Sequence, residues 1–306
     1  MYRGMDWDVL ATALRHDVRW EWMWASLPFG VLAQLLRALR WRQLLRPLGE
    51  QPRLHTLLNA IFISYASSLV VPRVGEVLRC GVLSRYDGCS FSRSVGTVVT
   101  ERIVDMLLIA LLAIVTFLLQ IPVFNAFFER TGVSLSGFLG QFTVTGYVVT
   151  AVCVAVVAFM GWAIVQRLKL FAHTRSVIGD LSQGLLSLRH VDRPWLFWLY
   201  SVGIWASYFL HFYVAFFCFD ATSVLSPSSA LVAFVAGTFA VLVPTPNGAG
   251  PWHFAVKTVF MLYGVAGHVG AMFVLIVHSV QTALVAVLGL WAMAALAMTP
   301  KKDHNP

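Results

Sequence analysis

Residues 67–79 read S-S-L-V-V-P-R-V-G-E-V-L-R, which sets two guanidiniums and a carboxylate directly against apolar sequence. Pro72 interrupts the apolar run, and a helix can restart at Gly75. The first N–H groups of such a helix have no intrahelical partner and carry partial positive charge. Arg73 adds a full charge there and Arg79 another one turn in, an arrangement that attracts an anion such as phosphate. Glu76 favours the same dipole and lies three residues before Arg79, within pairing reach. A second stretch, 241–250, reads V-L-V-P-T-P-N-G-A-G. Pro244 and Pro246 remove backbone donors around Asn247, and Gly248 and Gly250 permit unusual φ. A new helix is expected near Pro251, with His253 in its first turn and its positive end facing the break. Glu101, Arg102 and Asp105 form a third group, on overlapping faces of one expected helix. Two readings stand for them: ion-pair partners of the Arg73/Glu76/Arg79 stretch, or a proton or ion relay.

The elements that carry these groups must be membrane helices. The chain has 306 residues, is 58% hydrophobic and only 12% charged, and its mean hydropathy is +0.76. A soluble surface needs more charge than that, whereas a bilayer is spanned by about 20 apolar residues per helix. Eleven Trp and eight Tyr suit the interfacial belts. The formal charge of +8 sits between apolar runs, which points to anionic headgroups and excludes nucleic acid as the partner. Cys80, Cys89, Cys153 and Cys218 form no C-x-x-C, so neither a zinc site nor a disulfide framework is indicated. His211, His268 and His278 stand singly in apolar runs and read as hydrogen-bonded core residues. No cofactor is implied.

Residues 1–21 form a mixed polar segment, read as an interfacial helix. A single membrane domain follows over 22–298, and 299–306 is a tail. Within the domain, apolar runs fall at 22–36, 54–71, 91–119, 142–165, 195–219, 226–243, 252–263 and 269–298. A basic cluster at 37–53 follows the first, 121–140 reads as a loop or interfacial segment, and 166–193 is the longest polar stretch. Leu181, Leu185 and Leu188 in that stretch have the spacing of an amphipathic helix. If 54–71 and 226–243 turn back at their prolines, the segments 37–53, 73–93, 166–193 and the C-terminus fall on one side. That side holds 16 of the 22 lysines and arginines, which makes it cytoplasmic. The expected fold is therefore all-α, a polytopic helical bundle with two re-entrant hairpins that enter from opposite sides as an inverted repeat. Unrelated proline kinks are the simpler alternative. Arg73 and Arg79 have one too, extending to the interface and meeting only bulk headgroups.

The chain resembles the lysylphosphatidylglycerol synthase transmembrane-region family, the flippase-like domain. The matching strings are L-R-A-L-R-W-R-Q-L-L-R-P-L-G at 36–49, P-R-V-G-E-V-L-R at 72–79, S-F-S-R-S-V-G-T-V-V-T-E-R-I-V-D at 90–105 and P-T-P-N-G-A-G at 244–250. The resemblance implies a lipid-handling helical domain. The family's arginine, glycine and glutamate map to Arg73, Gly75 and Glu76, and its E-R-x-x-D to Glu101, Arg102 and Asp105. His253 stands where many members carry a glutamate. Many also carry a span ahead of the L-R-A-L-R-W string that residues 1–21 do not supply, so an earlier start is expected.

The functional expectation is a translocase of the inner membrane. It binds the anionic headgroup of a phospholipid or polyprenyl phosphate at Arg73, Gly75, Glu76, Arg79, Glu101, Arg102, Asp105, Pro244, Asn247, Gly248, Gly250 and His253. The alternative is a non-transporting scaffold or accessory subunit of a lipid- or glycan-modifying enzyme. With no soluble catalytic domain, nucleotide loop or metal motif, enzymatic activity is not the expectation. A transferase acting on a lipid phosphate would need Glu101 or His253 as its base.

Overall fold

The computed structural model describes residues 18–131, 179–180, 183–184, 187–243 and 245–302, which are helical with no strand among them. The expected span at 142–165, most of the polar N-terminal segment and Pro244 lie outside the described residues. The chain divides into two compact units, Met1–Thr116 with Leu181–Pro306, and Phe117–Asp180. The first begins with α1 (Trp20–Leu45), α2 (Leu54–Ser67) and α3 (Val74–Asp87). The long α4 (Phe91–Thr131) starts in the first unit and continues into the second. Then follow α5 (Pro194–Val214), the short α6 (Asp220–Ser223), α7 (Pro227–Ala240), α8 (Pro251–Leu262) and α9 (Gly267–Ala297).

Local sequence explains the boundaries. α5, α7 and α8 each open on a proline in the first turn, where its missing N–H costs nothing. Ser226 caps α7 by accepting the N–H of Ser229 at 3.2 Å. Two boundaries differ from the sequence expectation. α1 does not end at Leu36 but runs through the arginines to Leu45, because 37–45 has no helix breaker and keeps apolar residues on one face. α4 passes Leu119 and is described as far as Thr131.

Among the described residues, three helical stretches are long and apolar enough to cross a membrane: Phe91–Ile121, Pro194–Cys218 and Gly267–Ala297. Ile103, Met106, Leu107, Leu111 and Ile114 stand exposed on the first of these, as a lipid-facing surface would. α1 is not in that group, since Gln34 and Arg37 dilute its apolar run. The 14-residue arms α2 and α3 are each about 21 Å long, too short for a hydrocarbon core of about 30 Å. α7 and α8, with 14 and 12 residues, are equally short. Each pair packs side by side as a helical hairpin.

Two cores hold the hairpins. Trp41, Leu57, Ile61, Leu83 and Val98 join α2 and α3 to α1 and α4. Phe216, Phe260 and Phe273 meet edge to face around α7, α8 and α9, with centroids 4.9–5.3 Å apart. Leu188 sits in a short 3-10 turn and packs on Leu44, Val104 and Phe197. The base of the first hairpin lies beside the C-terminus of α9. Arg53 binds Asp87 at 2.6 Å and the Pro300 carbonyl at 3.0 Å, and the Lys302 N–H donates to Tyr86 at 2.9 Å.

Candidate functional site

The two helix breaks close on each other. The Ser68 carbonyl accepts the Asn247 N–H at 3.3 Å, and the Leu242 carbonyl accepts from an Arg73 Nη at 3.3 Å. Arg73 (φ 64°) and Asn247 (φ 54°) are the non-glycine residues with positive φ among the described residues. That conformation costs an arginine on the order of 1–2 kcal/mol, so the first break holds Arg73 under strain with its side chain exposed. Gly248 and Gly250 also take positive φ, 69° and 91°. Gly75 is buried where a Cβ would overlap the Ser64 carbonyl, so only glycine lets the two arms approach this closely.

The second break docks on the middle of α9. Asn247 Nδ2 donates to Thr282 Oγ1 at 2.6 Å, and Thr282 Oγ1 donates to the His278 carbonyl at 2.7 Å. His278 Nε2 lies 3.1 Å from the Asn247 carbonyl oxygen and 3.4 Å from Asn247 Nδ2. His253 lies beside it, ring centroids 4.5 Å apart, and its Nδ1 accepts the Gly250 N–H at 3.2 Å.

Below the first break lies a buried ionic network. Glu101 accepts from Arg79 at 2.7 Å and from Arg40 at 3.3 Å. Asp105 faces Arg40 at 2.8 Å and Arg37 at 2.9 Å. All five side chains are at most 4% exposed. Arg79 also lies over the Trp41 ring, 4.5 Å from its centroid. Arg102 pairs with Glu76 at 2.8 Å at the edge of the cluster. Three guanidiniums thus face two carboxylates, and the Arg102–Glu76 pair leaves that excess of one positive charge unchanged. The Nε groups of Arg37, Arg40 and Arg79 are buried with no hydrogen-bond partner among the described residues. No group of three potential metal ligands occurs among the described residues.

The sequence profile of the lysylphosphatidylglycerol synthase TM region matches residues 1–289. The chain belongs to this family. Glycosyltransferase AglD of Haloferax volcanii is 34% identical to the chain over 90 residues, 29% of this chain and 14% of that protein. The chain therefore matches about a seventh of that relative. No solved structure matches it.

In this family member the residues expected to act together fall into two groups. Arg79, Glu101, Asp105, Arg102 and Glu76 share the ionic network, while Asn247, Gly248, Gly250 and His253 share the second break, reached by Arg73. Glu76 pairs with Arg102 and not with Arg79, whose guanidinium turns inward to Glu101. Arg37 and Arg40, part of the basic cluster at 37–53, are the other half of the network. The signal was present in L-R-A-L-R-W: Arg37, Arg40, Trp41 and Leu44 share one helix face, while Arg42 and Arg46 lie on another. His211 is the hydrogen-bonded core residue expected, its Nδ1 2.8 Å from the Ser26 carbonyl. His278 contacts Asn247, and His268 is exposed.

Proposed function

We propose that this chain is a lipid translocase domain of the inner membrane that binds an anionic headgroup where its two hairpin tips converge. The observation that carries this reading is the contact of the two breaks beside the midpoint of α9, with strained Arg73 exposed at the junction. In this reading the hairpins are re-entrant and form an inverted repeat. Their arms are too short to cross, and their bases lie at opposite ends of α9. The end that gathers Arg53, Arg85, Arg93, Lys301 and Lys302 is cytoplasmic by the positive-inside rule, which puts the C-terminus there. Arg73 and the positive ends of α3 and α8 meet the headgroup phosphate, with Asn247, Gly248, Gly250 and His253 lining the opposite wall. The buried network, one positive charge in excess, keeps the junction favourable to an anion. Glu101 and Asp105 are tied to guanidiniums, which favours the ion-pair reading over a relay. The substrate class is a phospholipid or a polyprenyl phosphate, and relative motion of the hairpins alternates access.

The test is headgroup translocation in vesicles that contain the purified chain, with Arg73→Ala beside it. Transport by the wild type and its loss in the variant are expected. Absence of transport in both would count against translocation. A second reading, an accessory subunit of a glycan-modifying enzyme, draws on the similarity to a glycosyltransferase. A stoichiometric co-purifying enzyme with no lipid movement would favour it.

A further inference from the structure

A second basic site lies away from the hairpin tips, at the C-terminal end of α1. A depression of 350 Å³ is lined by Arg42, Arg46, Gln51 and Asp192. A neighbouring one of 280 Å³ shares Arg46 and Asp192 and adds Gln43 and Arg193. Three guanidiniums surround one carboxylate there. None of the three forms an ion pair or a side-chain hydrogen bond among the described residues. The nearby Arg53 and Arg93, in contrast, are bound to Asp87 and Glu50. Such a concave, unneutralised group of forked donors suits a phosphate.

What lies beside the depression identifies the kind of phosphate. Arg193 immediately precedes α5, a candidate span, so the depression stands at a bilayer face. From that point Trp195, Trp198, Leu199 and Val202 run down one side of α5, 64%, 44%, 57% and 57% exposed. Their spacing of three, four and seven residues makes a continuous apolar stripe. Trp195 sits at the level where an indole marks the headgroup region. A basic cup above an apolar stripe has the polarity of an amphiphile.

We propose that this depression is a surface site for an anionic phospholipid, its phosphate held by Arg42, Arg46 and Arg193 and an acyl chain laid along the α5 stripe. Arg42 and Arg46 lie on the opposite side of α1 from Arg37 and Arg40, so the site is separate from the buried network. It stands apart from the translocation reading, because a protein that moves no lipid can still hold one here.

Native mass spectrometry of the purified chain tests this, with titrations of phosphatidylglycerol, phosphatidylcholine and inorganic phosphate. The expected result is tighter retention of phosphatidylglycerol than of phosphatidylcholine, and no displacement by equimolar phosphate. A surface cation contributes about fivefold in affinity for anionic lipid, so the triple variant Arg42→Gln, Arg46→Gln, Arg193→Gln loses on the order of 100-fold. Binding of phosphatidylcholine stays unchanged. Arg85→Gln, an exposed arginine outside the depression, changes binding by less than about twofold. Asp192→Asn removes the opposing charge and tightens binding about fivefold. The proposal is overturned if the triple variant binds as the wild type does, if Arg85→Gln loses as much, or if phosphate displaces the lipid. Should the triple variant fail to fold, Asp192→Asn decides, and unchanged affinity there overturns it.

Discussion

The buried network makes Glu101 and Arg79 unequal partners, although they touch at 2.7 Å. Glu101→Gln raises the buried excess from one positive charge to two. It leaves Arg79 without a carboxylate and Arg40 with Asp105 alone. Removing one partner of a buried pair costs about 3–5 kcal/mol, mostly from the stranded charge. Arg79→Met instead leaves two guanidiniums opposite two carboxylates, a balanced set, and Glu101 keeps Arg40 at 3.3 Å. Its cost is the lost hydrogen bond and the contact with Trp41, together about 1–3 kcal/mol. In the double variant the charge most harmed by losing Glu101 is already gone. The double should therefore be less damaging than the sum of the singles by about 1–3 kcal/mol. Reversible unfolding in mixed micelles, with detergent mole fraction as denaturant and tryptophan fluorescence as readout, gives the three values. The reasoning fails if Arg79→Met destabilises as much as Glu101→Gln, or if the two effects simply add.

Three further outcomes are expected. Gly75→Ala puts a methyl group onto the Ser64 carbonyl and should cost about 1–3 kcal/mol in the same titration, with a neutral result showing that the hairpin arms part freely. Arg73→Gly removes left-handed strain and should stabilise by up to about 1 kcal/mol while abolishing headgroup transport, whereas Arg73→Ala keeps the strain. Lower stability in Arg73→Gly would mean that the Arg73 contact with Leu242 outweighs the strain. Burial, aided by Glu50 and Asp87, pushes the Cys89 thiol up to about 12. With the other cysteines replaced by alanine, it should therefore alkylate on the order of 10³-fold more slowly at pH 8 than free cysteine. Because the raised value belongs to the folded state, its stabilising effect is complete below the unfolded thiol value of about 8.5 and is lost as pH rises toward 12. A Cys89→Ser chain should not show that part of the alkaline loss.

Sequence made the breaks legible because proline and glycine act locally. Pro72 and Pro251 mark helix ends wherever the chain goes, and the turn at Asn247–Gly250 follows from residues that tolerate positive φ. Glu101 and Asp105 were equally visible, since an acidic residue in an apolar helix must find a partner. One of the two readings paired them with the Arg73/Glu76/Arg79 stretch, and Glu101 does meet Arg79; the further partners Arg37 and Arg40 were not visible. Arg79 was matched to Glu76 by spacing, but the inward turn that delivers it to Glu101 depends on α3 lying against α4. Arg37 and Arg40 were hidden by their company: five arginines within 17 residues read as one basic cluster, and the helix face each occupies separates the buried two from Arg42. Asn247 meeting Thr282 and His278 is a contact across 31–35 residues, set by where α9 passes and not by any local pattern.

α9 ties the two hairpins together along a single axis. Neither hairpin is long enough to be stable alone, since isolated helices of 12–14 residues are marginal. α9 meets the base of the first hairpin through Lys302 and Tyr86, its inner arm through Gly289 against Ala66, and the tip of the second through Thr282. The middle contact is a close approach of two small residues with no polar bond. The outer contacts are hydrogen bonds and hold position. Any rearrangement that opens the junction of Ser68 with Asn247 must therefore either break the Asn247–Thr282 bond or carry it along with α9. The first route moves the second hairpin alone. The second shifts α9 past Ala66 and pulls on the Tyr86 carbonyl, which couples the junction to the basic end of the bundle.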